Sequence, residues 1–304
     1  MKSKETQGHL AAFVTILIWG TTFISTKILL REFEPIEILF IRFILGFLIL
    51  MAACPKILHI KDKKQELTFA LAGLCGVCLY YLLENIALTF TLAANVGVII
   101  SVAPFFTAIV SRLVIRDERL RTNFFVGFLV AMAGIICISF SGQESVEINP
   151  LGDLLSLVAA FVWAIYSVLT RKIGQFGYST IQSTRRVFAY GLVFMIPVLF
   201  VFGYNVQIRQ FYNPTVVFNI LYLSVGASAL CFVTWNIAVK VLGAVKTSIY
   251  IYMVPVITVV TSVIVLHEKI TAMSAVGTVL TLTGLFISEY RGKTKQTALD
   301  GQEV

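Results

Sequence analysis

The 304-residue chain is 58% hydrophobic and 13% charged, with a mean hydropathy of +0.89, far from the soluble norm of about 45–50% apolar and about 25% charged. Its formal net charge is +8, but the Lys and Arg residues sit in short connections between apolar runs rather than clustered on a folded polar face, which excludes a basic nucleic-acid-binding domain. Cysteines 54, 75, 78, 137 and 231 lie in or beside apolar segments and make no extracellular disulfide framework.

Taken in order, the apolar spans are 10–30, 36–54, 67–89, 93–114, 122–141, 151–170, 180–203, 216–238, 244–266 and 272–290. Runs of about 18 apolar residues suffice to cross a hydrocarbon core of about 30 Å. The fold class is therefore an all-α polytopic membrane protein with ten transmembrane helices. Span one is too long, and too clearly part of the repeat described below, to be a cleaved leader. It carries Trp19 near its middle and Lys27 about one turn from its end; Arg42 lies deeper, near the start of span two.

Span three is the most polar, with Cys75, Cys78, Tyr80, Tyr81, Glu84 and Asn85. Its CxxC has no neighbouring His, Asp or third Cys to complete a metal site and reads as two buried thiols. Asn95, Ser101 and Pro104 follow in span four, then the stripe Gly127, Ala131 and Gly134 in span five. The second half repeats the plan: Trp163 and Tyr166 in span six with Arg171 at its end, Arg185 and Arg186 in seven, Trp235 and Asn236 in eight, Ser248, Tyr250, Tyr252 and Pro255 in nine, Gly277 and Gly284 in ten.

The correspondence is residue by residue. A shift of 151 positions pairs Asn85 with Asn236, Pro104 with Pro255 and Ser111 with Ser262; a shift of 150 pairs Glu118 with Glu268, Gly127 with Gly277 and Gly134 with Gly284. Upstream, a shift of 144 pairs Trp19 with Trp163, Lys27 with Arg171 and Arg42 with Arg186. The period is too long for a solenoid and marks two copies of one domain, residues 10–141 and 151–290, followed by a cytoplasmic tail at 291–304. An odd number of crossings per copy forces the copies into opposite orientations, so these are two inverted five-helix repeats. Alternate connections carry 17 against 3 Lys and Arg residues, which places both termini and the 55–66 and 112–122 loops in the cytoplasm.

Ionisable groups inside a membrane are costly and mark pathways, and Glu84 is the one carboxylate well within a span. Two readings stay open for it. Either it anchors a substrate and carries a coupling proton, or it pairs with Lys27 or Arg42 and holds helices together. Lys27, Arg42 and Arg186 are either pathway charges or side chains that snorkel to the headgroups. The candidate binding set is Glu84, Asn85, Tyr80, Trp19, Trp163, Tyr166, Trp235, Asn236, Asn95 and Ser101. Trp19 and Trp163 fall near mid-span, which points to a cavity or to the seam between the halves rather than to an interfacial belt. Tyr250, Tyr252 and Ser248 are further candidates for that lining. Pro104 and Pro255 each remove a backbone hydrogen bond and kink their helices, either beside a cavity wall or at a packing contact. The glycine pairs read as helix-packing faces.

The Trp19-Gly20 pair, the doubled order of small residues, proline and then a Glu-basic pair (Pro104 with Glu118-Arg119, Pro255 with Glu268-Lys269), and the glycine-rich helix after each, resemble the EamA-type members of the drug/metabolite transporter superfamily over about residues 10–290. The second half departs from the pattern at Ala164, where Gly would follow the tryptophan. The resemblance implies an inner-membrane carrier with a cavity between its halves, alternately open to each side. It also implies peripheral helices five and ten, and substrates such as amino acids or other small metabolites, often exported. An intramembrane enzyme ranks behind this, since no HExxH, nucleotide-binding loop or His/Asp cluster is found. So does a scaffold or receptor, which needs no inverted repeat with mid-membrane polar groups. The expectation is a secondary transporter and not an enzyme, with no cofactor and no metal. Its partners are a small-molecule substrate, the bilayer and a coupling proton, with the oligomeric state open.

Overall fold

The structure, a computed structural model, describes residues 2–60, 62–91, 93–115, 122–140, 149–266 and 271–289. The linker between the halves at 142–148, the Glu118-Arg119 and Glu268-Lys269 motifs and the tail at 291–304 lie outside the described residues. The described residues form ten apolar helices: α1 (Lys2–Leu29), α2 (Pro35–Ala53), α3 (Lys63–Phe90), α4 (93–114), α5 (Thr122–Phe140), α6 (Pro150–Gln175), α7 (Thr180–Phe202), α8 (Pro214–Leu242), α9 (244–266) and α10 (Ala272–Glu289). Seven are long and apolar enough to cross a membrane, and three shorter apolar stretches, Thr122–Ile138, Ala244–Ile257 and Ala275–Ser288, take the remaining places.

Local chemistry sets the helix ends. Asn149 and Asn213 each stand before a proline and accept hydrogen bonds from the exposed amides of α6 and α8, the arrangement in which a polar cap and a proline at the first helical position reinforce one another. Gly203 (φ 80°) and Gly243 (φ 95°) end α7 and α8, in a left-handed backbone that side chains with a Cβ avoid. α1 begins well before the span expected at residue 10, because its polar first turns have partners on α9. Lys246 Nζ lies 2.9 Å from Glu5 Oε1 and 3.1 Å from His9 Nε2, and the Tyr250 hydroxyl is 2.6 Å from His9 Nδ1.

The packing is pseudo-symmetric. Exchanging the halves turns the contact of α1 with α8 into that of α6 with α3, and the contact of α1 with α9 into that of α6 with α4, all of which are made. The self-equivalent pairs α2 with α7 and α5 with α10 also pack together. The halves therefore interlock, each lending its first helix to the other. The polar connections group at two ends. The 54–66 connection meets the start of α7 through Arg185 to the Cys54 and Lys56 carbonyls and Tyr178 to Gln65, while Gln210 and the Asn205 amide meet Glu32 and Glu37 at the opposite end of α2.

α5 and α10 meet on their glycines. A Cβ added at Gly134 would lie 2.6 Å from the Gly277 carbonyl, and one at Gly284 would lie 2.6 Å from that of Gly127. The expected packing face is thus a backbone-to-backbone contact. α3 and α7 cross in the same way at Gly73 and Gly191.

Candidate functional site

Each half carries a device that hydrophobic periodicity does not display. α3 contains a π-helical turn at Leu74–Leu79, and α8 one at Tyr222–Leu230. These sit at equivalent places in the two repeats, and π segments recur at functional sites. The Tyr166 ring of α6 lies directly over Gly76 in the first of them, where any Cβ would collide with it. The Trp19 indole donates to the Ala227 carbonyl in the second, at 3.0 Å.

Between these turns the aromatics converge. Trp19 and Trp163, equivalent in the two halves, meet edge-on with ring centroids 5.1 Å apart, so the pseudo-twofold axis passes between them. Trp235 packs on both, at 5.2 and 5.7 Å, and Tyr80 and Tyr166 flank Trp163 at 4.7 and 5.0 Å. Phe232, which sequence reasoning did not single out, touches Trp19, Trp163, Tyr81, Tyr166, Phe43 and Phe188. The cavity and seam readings for the two tryptophans describe one place.

A cavity of about 40 Å³ lies beside this cluster, lined by Trp19, Thr22, Phe23, Tyr80, Tyr81, Glu84, Gly97, Ile100, Ser101, Trp163, Ile251 and Val254. It draws on both repeats and has room for a few waters, each of which needs about 10–15 Å³ of such space. Glu84 is 4% exposed, with Tyr80 one turn before it and Arg42 within electrostatic reach. It makes no ion pair with a described residue. The pairs present are Arg186–Glu66 at 2.6 Å, Lys246–Glu5 at 2.9 Å and His9–Glu5 at 4.0 Å. The pairing with Lys27 or Arg42, one of the two readings open for Glu84, is not present as an ion-pair contact among the described residues.

The cations differ from one another. Lys27 is half-buried in the last turn of α1. Arg42 does not snorkel: it is 2% exposed, donates from Nε to Ser228 Oγ at 2.9 Å, and places its Cζ 4.4 Å from the Tyr81 ring centroid. Arg186 pairs with Glu66 and stacks on Tyr190. Arg171 caps the C-terminus of α8 through the Lys240 carbonyl at 2.7 Å.

Of the other candidates, Asn85 and Asn236 do not line this cavity. Asn85 Nδ2 donates to the Pro35 carbonyl at 3.1 Å, tying α3 to the start of α2. Asn236 accepts from the Tyr166 hydroxyl and donates to Thr184 Oγ1, both at 2.9 Å, and lines a second cavity of about 20 Å³ with Thr170, Tyr178, Ser183 and Lys240. Ser101 Oγ donates to the Gly97 carbonyl at 2.7 Å on the wall of the first cavity. Tyr250 faces His9 instead of the cavity, and Ser248 donates to its own helix at the Val245 carbonyl. Tyr252 is fully buried. Asn95 falls in α4, its side chain outside the described residues. Cys75 and Cys78 are buried free thiols.

The prolines act slightly earlier than expected. α4 breaks at Ser101 and Val102, and Pro104 starts its second segment, Ala103–Val114. In α9 a 3-10 turn at Ile249–Tyr252 precedes the segment Met253–Leu266, in which Pro255 is third. Both breaks adjoin the cavity, since Ser101, Ile251 and Val254 line it.

Ten apolar helices in two interlocked repeats around a buried acid and a tryptophan cluster define a polytopic membrane protein of the transporter class. A model of the EamA-like transporter family matches residues 6–140 and again 150–290, and the chain belongs to that family. It is similar to an uncharacterized transporter of Archaeoglobus fulgidus (30% identity, covering 92% of this chain and 96% of the relative). It is also similar to probable amino-acid metabolite efflux pumps of Salmonella typhimurium (24%; 94% and 96%) and Escherichia coli (23%; 92% and 93%). One crystal structure shares the fold at a TM-score of 0.74 and 20% identity, covering 93% of this chain and 96% of its own.

Proposed function

We propose that this chain is a secondary carrier that moves small metabolites, of the amino-acid class, out of the cell by alternating access. The observation that carries the reading is the placement of Glu84, a buried carboxylate without an ion pair, on the wall of a cavity shared by the two repeats. A polar anchor among aromatic walls fits the chemistry of a small-molecule site. The cavity is too small to hold a metabolite in this state, so the helices part when substrate enters. Inverted repeats that rock about a central site supply such a motion, with the broken α4 and α9 beside the cavity. The names of the efflux relatives support the substrate class and the outward direction. Glu84 in this reading exchanges a proton for the substrate ammonium.

Flux of labelled amino acids in vesicles reconstituted with the purified protein tests the reading; no flux for any of them, with or without a pH gradient, overturns it. The rocking motion has its own check. Cysteines at 5 and 246, replacing the Glu5–Lys246 tie, and at 23 and 97 across the cavity, are expected to crosslink in mutually exclusive states. Transport that persists with both crosslinks formed disproves alternating access.

The proposed orientation puts both termini in the cytoplasm of a cell whose inner membrane holds the protein. The grouping of residues 54–66 with 178–186, and of Glu5 with Lys246, at the ends of their helices supports it. In intact cells a cysteine at position 146 is expected to react with an impermeant maleimide and one at position 62 to stay protected. The reverse pattern overturns the orientation.

A further inference from the structure

Arg42 and Arg186 hold equivalent places in the two repeats, but only one has an anion. Arg186 pairs with Glu66 of α3 at 2.6 Å. The position equivalent to Glu66 in the second half, 151 residues on, is Val217, and Arg42 makes no ion pair with a described residue. Its Nε reaches a serine hydroxyl, its guanidinium carbon lies over the Tyr81 ring, and its Nη2 has no hydrogen-bond partner among the described residues. A buried guanidinium in that condition is costly unless something else completes it. Two more buried donors lack acceptors among the described residues: the indole Nε1 of Trp163, on the cavity wall, and that of Trp235, packed against it. Guanidinium and indole nitrogens donate and never accept. Each of these three donors is therefore short of an acceptor among the described residues.

We infer that this donor set recognises a carboxylate, with Arg42 as the specificity-determining group that reads the carboxylate of a zwitterionic substrate whose ammonium is held at Glu84. The inference rests on the carrier reading of the same cavity and adds the residue that selects the substrate. Tyr81 joins the two places, since its ring lies on the guanidinium and also lines the cavity beside Glu84. Arg42 and Glu84 are buried charges of opposite sign that lie within electrostatic reach of each other without an ion-pair contact. A zwitterion brings the matching pair of charges. A simple amine satisfies Glu84 and leaves a second cation near Arg42, while a simple carboxylate does the converse. The planar fork of Arg also grips a carboxylate bidentately, which a lysine does not.

The test uses the purified full-length protein in detergent and a panel of α-amino acids, their α-amides and their decarboxylated amines, with binding read by calorimetry and flux read in vesicles. Wild type is expected to bind at least one amino acid, and its amide and amine more weakly by about tenfold or more, a difference of about 1.4 kcal/mol. Arg42→Gln is expected to bind acid and amide alike, and Arg42→Lys to recover part of the preference. If Arg42→Gln does not fold, Trp163→Phe, which removes one of the orphaned indole donors, is expected to narrow the preference in its place. An unchanged acid-over-amide preference in Arg42→Gln, or in Trp163→Phe where that variant stands in for it, overturns the inference. So does a wild type that binds amides or amines as well as the acids, or that binds no amino acid. Flux of amines without acid preference leaves the carrier reading standing while this inference falls. Selective binding of amino acids without any flux does the opposite.

Discussion

Glu84→Gln is expected to reach the membrane in wild-type amounts and to lose transport by about tenfold or more, a barrier increase of about 1.4 kcal/mol, or else to lose the pH dependence of transport. The substitution isolates charge from shape. Glutamine keeps the length of the side chain and an oxygen that accepts a hydrogen bond, so the contact with Tyr80 and the aromatic packing survive. It cannot release or take up a proton. Burial and a neighbouring guanidinium act in opposite senses on a carboxyl group, and a carboxyl under both influences is suited to exchange a proton for an ammonium. Because Glu84 makes no ion pair with a described residue, no salt bridge is broken by the change, which is why stability is expected to hold. Substrate flux measured against pH in vesicles, with the amount of folded protein measured in parallel, gives the answer. Full transport with an unaltered pH profile eliminates the proton role, and loss of folded protein assigns Glu84 to structure instead.

What the sequence displayed and what it concealed follow from the range of the interactions involved. Hydrophobic runs placed the helices within a few residues, because burying backbone in lipid requires helices whatever the tertiary detail. α1 was the exception, since its polar first turns are held by Lys246 and Tyr250, more than two hundred residues away along the chain. The repeat made Trp19 and Trp163 legible as a central pair, because equivalent residues near a pseudo-twofold axis meet one another. Tyr250 and Tyr252 were read as lining and lie elsewhere, since composition does not say which side of a helix faces the cavity. The π turns at 74–79 and 222–230 leave no hydrophobic period of their own, and the place of Gly76 under the Tyr166 ring emerges only in three dimensions. Arg42 and Arg186 read alike in one dimension. Only the structure shows that Glu66 of another helix distinguishes them.

Gly134→Leu and Gly284→Leu are each expected to lower the thermal stability of the purified protein sharply and to reduce its folded yield. The two glycines lie on the contact of α5 with α10, where a Cβ at Gly134 would sit 2.5 Å from the Thr281 amide nitrogen and 2.6 Å from the Gly277 carbonyl, and one at Gly284 would sit 2.6 Å from the Gly127 carbonyl. Overpacking a well-filled contact costs about 1–3 kcal/mol when side chains can adjust. Here the obstructing atoms are backbone, so the helices themselves must separate, and the small-residue contact that drives their association in lipid is lost. Gly226→Ala provides the control, because a Cβ there meets nothing closer than 3.7 Å. Thermal unfolding in detergent, followed by tryptophan fluorescence, is expected to order the variants as Gly226→Ala near wild type and the two leucine variants well below it. The substrate concentration for half-maximal flux is expected to be unchanged in whatever leucine variant folds, since neither glycine lines the cavity. Wild-type melting in both leucine variants would show that α5 and α10 do not pack on this face, and a shifted half-saturation without a stability change would place the face in the transport path.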